Sequence, residues 1–384
     1  MVSIAFTGGG TGGHIYPGLA IVSWIRELFP CRIFWIGSSA KMDRDIVEKA
    51  GLEFFSIPSG KLRRNFSLRN IPDFFRVCAG FFAARKILKR EKPRLLFSKG
   101  GFVSVPPCAA AKSLGIPVFT HESDFSPGLA TRMNTRFAEK IFIPYRESLK
   151  FYARQRTKEL VVSGNPIRRE FTGADPARGF SFLGLKGDER ILLVLGGSLG
   201  SQEINGLVRD CLPCLTRYYT VVHQTGENDM TGPAAGDSPG DFQGKKTQRN
   251  FPGNRYISFA YLKDELPHII AAAELVLCRS GAGTIWECKY LRKPMVLIPL
   301  RGKGTRGDQV ENAELFRGAG AAVCFSPPET DDPVLPGEGA RKLCELISSL
   351  AEDPEKRRAM EESTMEGKDA AAFIANEIIT RIKQ

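Results

Sequence analysis

The chain has 384 residues, 42% apolar and 25% charged, with a formal net charge of +12. That length exceeds what one hydrophobic core usually serves and fits two domains; the composition excludes a disordered or fibrous chain. The charge is uneven: residues 1 to 168 hold 27 Lys/Arg against 12 Asp/Glu, a net of +15, and residues 169 to 384 hold 27 against 30, a net of −3. By charge alone the first half is built to meet nucleic acid or an anionic membrane surface.

No basic n-region with a cleavable apolar stretch is readable and no apolar run reaches bilayer length, so the expectation is a protein of the cytosol. Nine cysteines without regular spacing fit reduced, mostly buried thiols. Cys211-Leu-Pro-Cys214 has the spacing of a redox or zinc pair, but no second C-x-x-C accompanies it and it reads as packing.

In chain order, a strand over Val2 to Phe6 runs into Thr7-Gly8-Gly9-Gly10-Thr11-Gly12-Gly13-His14, and a helix opens about Pro17. Five glycines in six positions let the backbone turn tightly and bring N–H groups toward a ligand at a helix start. Gly8, Gly10 and Gly13 satisfy a dinucleotide spacing, yet the next strand, Arg32 to Ile36, ends in Gly37-Ser38-Ser39 without the acid that would take a ribose. A P-loop fails too, since no Gly-Lys-Ser/Thr follows. His14 stands in its place, either a helix-start residue or a proton-transfer group.

A helix over Asp43 to Ala50 and a strand over Phe54 to Ile57 continue the alternation expected of a parallel sheet wrapped by helices. From Leu68 a helix carries Phe74, Phe75, Phe81 and Phe82 among Arg69, Arg76, Arg85, Lys86, Lys89 and Arg90. It is either a core-facing helix with a basic end or a surface helix dipping aromatics into a membrane while its cations meet lipid heads. Leu95 to Ser98 then leads to a second glycine turn, Lys99-Gly100-Gly101-Phe102. The strand Ile116 to Thr120 ends in His121-Glu122-Ser123-Asp124, which faces the same crevice as the first loop.

Val161 to Arg168, with Gly164-Asn165-Pro166, reads as the seam between domains 1–165 and 166–367. Arg190 to Leu195 and Gly196-Gly197-Ser198-Leu199-Gly200-Ser201 repeat the opening theme. Residues 226 to 255, polar and dense in Gly and Pro, read as a mobile surface loop. Leu275 to Cys278 runs into Arg279-Ser280-Gly281-Ala282-Gly283-Thr284-Ile285-Trp286-Glu287, a helix start suited to a diphosphate, with Glu287 placed for a sugar diol. Gln309 and Asn312 share a helix face, where amides read hydroxyl groups.

Taken together, Gly9-Gly10-Thr11-Gly12-Gly13-His14, Lys99 to Ser104, His121-Glu122 with Pro127-Gly128, Gly164 to Arg168, Gly196-Gly197-Ser198, Cys278 to Ala282 with Glu287, and Asp308-Gln309 with Asn312-Ala313 resemble the MurG family. The resemblance runs in order to about residue 325. It implies the α/β GT-B architecture, two facing doubly wound Rossmann-like domains with a cleft between them, the first completed by a C-terminal helix over about 368–384. It implies an inverting N-acetylglucosaminyltransferase of peptidoglycan synthesis, taking sugar from UDP-GlcNAc to the C4 hydroxyl of undecaprenyl-linked lipid I, the lipid-linked muramoyl-pentapeptide.

The same resemblance assigns substrate contacts to Thr11, Gly12, Gly13, Asp124, Arg168, Ser198, Ala282, Gly283, Thr284, Ile285, Trp286, Glu287, Gln309 and Asn312. It gives the base to His14, with Glu122 second. It implies no cofactor and no obligatory metal, the leaving diphosphate being neutralised by N–H groups and Arg168. It also implies peripheral docking of Phe74, Phe75, Phe81, Phe82, Arg85 and Lys86 on the cytoplasmic face of the inner membrane, cell-wall synthesis proteins as further partners, and no nucleic acid. Many members read His-Glu-Gln-Asn where this chain has His-Glu-Ser-Asp, so an amide becomes the Asp124 carboxylate. Another lipid acceptor, a silent sugar-nucleotide binder and an NAD-linked enzyme remain as alternatives.

Overall fold

The computed structural model describes residues 1–60, 70–153, 159–197, 200–226, 246–251, 254–302, 305–327, 337–363 and 369–384. It contains two seven-stranded sheets. The first is built from β1 (Ser3–Thr7), β2 (Arg32–Ser38), β3 (Glu53–Ile57), β4 (Leu95–Ser98), β5 (Val118–His121), β6 (Lys140–Ile143) and β7 (Glu159–Val162). All of its pairings are parallel, in the order β3-β2-β1-β4-β5-β6-β7. Its central strands are apolar on both faces because helices cover both. In register, Phe6 lies beside Trp35 and Phe97, and the three rings pack in one layer of core.

The second sheet comprises β8 (Ile191–Leu195), β9 (Thr220–Gln224), β10 (Lys246–Phe251), β11 (Asn254–Phe259), β12 (Leu275–Cys278), β13 (Met295–Leu297) and β14 (Ala322–Cys324). Its order is β10-β11-β9-β8-β12-β13-β14, parallel except for the β10–β11 hairpin. That hairpin corrects the reading of 226–255 as loop throughout: 246 to 251 and 254 to 259 pair antiparallel. The segment is too polar to show a buried face, so it looks loop-like, yet an edge strand needs only backbone partners. Residues 252 and 253 lie outside the described residues. Residues 227 to 245 of the expected loop lie outside the described residues.

The chain divides into two compact units, Met1–Arg169 with Gly367–Gln384, and Glu170–Glu366. The seam therefore follows Arg169, and Arg168 sits with the first unit where the sequence reading grouped it with the second. The terminal helix Ala370–Lys383 starts on Asp369, whose carboxylate accepts from the Ala371 and Ala372 N–H groups. It lays Ile374, Ala375, Ile378 and Ile382 on the face of the first helix, Tyr16–Leu28, that carries Ile21 and Ile25. Its Glu377 pairs with Lys140. Spacing of three and four residues makes the apolar stripe that explains this return.

Two further expectations are corrected. Cys214 is joined to Cys344 in a disulfide, Cα–Cα 6.3 Å, so the Cys211–Cys214 spacing is neither a pair in itself nor wholly reduced. Cys211 instead points its thiol at the Ala340 carbonyl. The helix Asn70–Glu91 splits its phenylalanines: Phe74, Phe75 and Phe82 are 57%, 65% and 69% exposed, while Phe81 packs with Ala84 and Leu88 against the core. Residues 81, 84 and 88 fall on one face, and Phe82, a further 100° round, falls off it. Arg85 is half-buried and Lys86 exposed. Among the described residues no helix is long and apolar enough to cross a membrane.

Candidate active site

In an open parallel sheet, neighbouring strands whose connections leave in opposite directions open a crevice at their carboxyl ends. The first sheet reverses between β1 and β4 and the second between β8 and β12. The glycine loops follow those four strands, so each unit carries a ligand crevice of its own at its switch point.

In the first unit the loop after β1 is held from below. The buried Trp35 indole donates to the Gly8 carbonyl, 2.9 Å. Asp43, fully buried, accepts from Gly10 N at 3.0 and 3.1 Å and from the Ser38 hydroxyl at 2.6 Å. A Cβ at Gly9 would run into that carboxylate, which is why the position is bare. Asp43 thus uses an N–H that a phosphate would otherwise take; the amides left toward the ligand come later in the loop, where Thr11 and Gly13 are exposed and Gly12 half-buried.

His14 lies at the end of the short turn Gly12–His14. Across from it, Gly101 has φ +79°, and a Cβ there would sit 3.0 Å from His14 Cδ2 and 2.6 Å from the Gly9 carbonyl. The second glycine turn therefore packs directly on the imidazole. Gly100 adds the other side of this seat, its missing Cβ lying 3.8 Å from His14 Nδ1.

The tail of β5 forms the next wall. His121 is fully buried, and its Nε2–H donates to the Gly164 carbonyl, 2.9 Å. Burial, reinforced by the nearby Lys99 charge, holds its pKa well below the ordinary range, with the Gly164 bond opposing; the ring is neutral. Asn165 donates to the Ser123 carbonyl, 2.8 Å. These two bonds staple the seam to the strand exit and so place Arg168, whose guanidinium stacks on Tyr16 at 5.8 Å. The Tyr16 ring in turn covers Gly12, within 3.0 Å of where a Cβ would stand.

Glu122 is 4% exposed and accepts from three backbone N–H groups, Ser123 (2.8 Å), Asp124 (3.2 Å) and Gly128 (3.0 Å). It ties its own loop into a ring. Such a carboxylate shapes the wall, and its acceptor capacity is directed inward, away from a substrate hydroxyl. Beneath it Lys99, 1% exposed, donates to Ser123 Oγ.

In the second unit Arg279 is the organiser. It donates to the Ser201 hydroxyl (2.7 Å), to Glu203 (2.5 Å) and to the Ile298 carbonyl (3.1 Å), tying the exits of β8, β12 and β13. Gln224 holds the Gly197 carbonyl, 3.1 Å. Ser280 donates to the Gln309 carbonyl (2.7 Å), and Gln309 Oε1 accepts from Leu300 N (2.9 Å). The helix Ala282–Tyr290 begins at Gly281 with no side-chain cap, so its first N–H groups and the positive end of its dipole are offered outward.

Of the residues expected in this half, Gly283 is exposed, and Ala282, Thr284, Glu287 and Gln309 are half-buried. The side chains of Ile285 and Trp286 are buried in the core, at 0% and 8% exposure, so what these two positions can offer a ligand is their backbone at the helix start. Asn312 is fully buried, with its amide donating to the Ser280 carbonyl at 3.3 Å; it holds the turn. Ser198 lies outside the described residues. His121 was expected to face the crevice, but neither its role in holding the seam nor the presence of Asp43 and Lys99 in the site was foreseen. A lysine between an apolar strand and Gly-Gly, and an acid one turn into a helix after Ser-Ser, are the traces they leave in sequence.

Comparison with known proteins agrees with these two halves. The model of the glycosyltransferase family 28 N-terminal domain matches residues 4–143, and that of the family 28 C-terminal domain matches residues 191–376. A Treponema pallidum protein is 42% identical over 99% of this chain and 96% of its own length, and one from Treponema denticola is 44% identical over 84% and 83%. Both are named UDP-N-acetylglucosamine–N-acetylmuramyl-(pentapeptide) pyrophosphoryl-undecaprenol N-acetylglucosamine transferase. Among solved structures, Acinetobacter baumannii MurG superposes with a TM-score of 0.70 at 20% identity, covering 100% of this chain and 99% of its own. A Neisseria meningitidis UDP-GlcNAc 2-epimerase bound to UDP-GlcNAc gives 0.62 at 13% identity, covering 99% and 100%, so the shape is shared by enzymes of different reaction. With both halves matched by family models and a relative 42% identical along nearly the whole chain, this chain belongs to glycosyltransferase family 28 and, within it, to the MurG N-acetylglucosaminyltransferases.

Proposed function

We propose that this chain moves N-acetylglucosamine from UDP-N-acetylglucosamine to the C4 hydroxyl of undecaprenyl-diphospho-N-acetylmuramoyl-pentapeptide, with inversion. The observation that carries the reading is that the sequence match runs through both units, so acceptor half and donor half come from the same source. Sugar-nucleotide enzymes that share only the fold would match in shape alone.

In this reading the uridine diphosphate lies along the helix start at Gly281–Ala282, and Glu287 takes the ribose diol through its two oxygens. Gln309 reads the sugar from the helix Asp308–Gly318, with Asn312 fixing the turn beneath it. The His14 imidazole, seated on Gly100–Gly101, removes the acceptor proton as the new bond forms at the anomeric carbon and the bond to the diphosphate breaks. Glu122, spent on three N–H groups, is the weaker candidate for that task. Negative charge that grows on the leaving diphosphate meets the loop N–H groups of Thr11 to Gly13 and the Arg168 guanidinium, fixed donors that supply what a divalent cation supplies elsewhere. No cofactor or metal enters this scheme.

A lipid-linked acceptor must be met at a membrane surface. The exposed Phe74, Phe75 and Phe82, beside Arg76 and Lys86 in the half that carries +15, support docking at the cytoplasmic face of the inner membrane, where cations gain about 1 kcal/mol each near anionic lipid. The test is transfer of labelled sugar from UDP-N-acetylglucosamine to a soluble lipid I analogue, with diacylglycerol as the rival acceptor. Turnover on the analogue alone is the expected result. Turnover on diacylglycerol alone would move the chain to another lipid acceptor, and donor binding without turnover on either would make it a binding protein.

A further inference from the structure

The turn that seats His14 consists of two glycines in left-handed backbone, Gly100 with φ +87° and Gly101 with φ +79°. Glycine loses more freedom on folding than any other residue, so such a turn keeps one shape only if groups outside it hold it.

A single side chain from another element does so. Asn134 ends the short helix Leu129–Asn134 and is fully buried. Its amide nitrogen donates to Ser98 Oγ at 3.1 Å and to Ser104 Oγ at 2.8 Å, and those two serines flank the turn. Ser98 Oγ also accepts from Gly100 N at 3.2 Å, and Ser104 Oγ donates to the Gly101 carbonyl at 2.8 Å. The bonds make one unbroken chain, from the Gly100 amide through Ser98, Asn134 and Ser104 to the Gly101 carbonyl. Both serines are fully buried, a dry setting in which linked hydrogen bonds strengthen one another. A fully buried helix position is ordinarily apolar, and an amide there costs desolvation unless its bonds are made. The Asn134 amide oxygen has no hydrogen-bond partner among the described residues, so what the side chain contributes is its two N–H bonds.

We propose that Asn134 is a positioning residue for the transfer: through Ser98 and Ser104 it fixes the Gly100–Gly101 turn, and the turn fixes the His14 imidazole packed on it. This deepens the proposed function and rests on the reading that His14 takes the acceptor proton. Asn134 touches no substrate in that reading. A reacting group displaced by about 1 Å loses about a hundredfold in rate, whereas the donor, held mainly by the second unit, loses little.

The experiment compares the full chain with Asn134→Leu, which keeps the bulk and removes both donors, and with Ser104→Ala. Each is checked for folding by thermal melting. Three quantities are read: kcat on the soluble lipid I analogue, donor affinity by calorimetric titration of UDP-N-acetylglucosamine, and the ring resonances of the four histidines in a nitrogen-15 correlation spectrum. Asn134→Leu is expected to lower kcat about 10- to 100-fold, to leave donor affinity within about threefold, and to move the His14 resonance while those of His223 and His268 in the second unit stay. A folded Asn134→Leu with the His14 resonance unmoved, or with kcat unchanged, overturns the proposal. A loss of donor affinity as large as the loss of kcat also overturns it, since that is general loosening. The resonance needs no acceptor, and failure of the base assignment shows separately, as a full rate in His14→Ala. If Asn134→Leu does not fold, Ser104→Ala decides: a moved His14 resonance with kcat at least threefold lower supports the chain of bonds, and either one unchanged overturns it.

Discussion

Both units place their glycine loops at the same point of the same topology, after the first strand of the sheet and after its partner across the reversal. What hangs on those loops differs. The first unit gathers imidazoles and charged side chains: His14, Lys99, His121, Glu122 and Asp124. The second gathers fixed dipoles: Gln224, Ser280, Gln309, Asn312 and an uncapped helix start, with Arg279 holding the strand exits together. Proton transfer needs titratable side chains in a partly dry setting, whereas recognition of a nucleotide and its sugar needs donors and acceptors that do not change with pH. One scaffold serves both because its strand order decides where a site lies and its loops decide what the site does.

The largest effect expected from this division is on the rate. His14→Ala should lower kcat on the lipid I analogue about 10²- to 10⁴-fold, the range of a lost general base, while the KM for the donor stays within about threefold. Initial rates at varied donor concentration measure both. A variant that keeps full rate removes His14 as the base; one that loses donor affinity with kcat intact breaks the division of labour itself.

Half-buried charge at the opposite ends of the strands serves a different purpose. Glu274, just before β12, is paired with Arg190 (2.7 Å) and Arg357 (2.9 Å). Burial alone would raise its pKa, but the Arg190 hydrogen bonds and charge, with Arg357, bring it below the ordinary 4.5. A carboxyl lowered by folding stabilises the fold above its unfolded value, and that contribution is lost as pH falls through the folded value. Glu274→Gln should therefore cost about 1–2 kcal/mol at neutral pH, between an exposed and a buried pair, seen as a lower melting temperature with kinetic constants unchanged, and the difference from wild type should shrink below about pH 4.5. A shift in donor KM would show that the two ends are not separable.

Much of this was legible in the chain. Apolar runs such as Leu192 to Leu195, cut short by Gly196-Gly197, mark strands of a parallel sheet and their ligand-facing ends, since burial on both faces leaves no alternation and a turn at a ligand needs bare backbone. What was not legible depends on distant partners. Asp43 matters because Gly10 lies beside it, 33 residues away in sequence, and Lys99 because Ser123 does. Phe81 and Phe82 differ only by one step of helical rotation, and periodicity cannot say which one meets the core until the neighbouring elements are placed. Asn312 and Trp286 sit in site motifs yet are buried, because a motif fixes neighbours along the chain and not the direction each side chain takes.

On the donor side a smaller change is expected. Glu287→Ala should raise the donor KM about 10- to 100-fold, the loss of hydrogen bonds from a charged acceptor, with kcat little altered. Calorimetric titration of UDP alone should show the same loss, since the ribose is common to both ligands. If UDP binds the variant as tightly as wild type, Glu287 is a surface acid of its helix and the ribose is held elsewhere in the second unit.

The smallest effect tests the unit that carries the excess of cations. Phe75 and Phe82 are exposed while Phe81 packs inward, so two substitutions on one helix should separate membrane contact from folding. Burying a phenylalanine fully is worth about 1.5–3 kcal/mol, and partial immersion about half of that. Phe75→Ser with Phe82→Ser should weaken sedimentation with anionic vesicles about tenfold and leave the rate on a soluble acceptor as it was. Phe81→Ala should do the reverse, lowering the melting temperature while vesicle affinity holds, because a core side chain loses both transfer energy and packing. If Phe81→Ala weakened vesicle binding as much as the double change, the cations of the helix and not its outward aromatics would carry the attachment, and raising the salt concentration would then abolish it for the wild type.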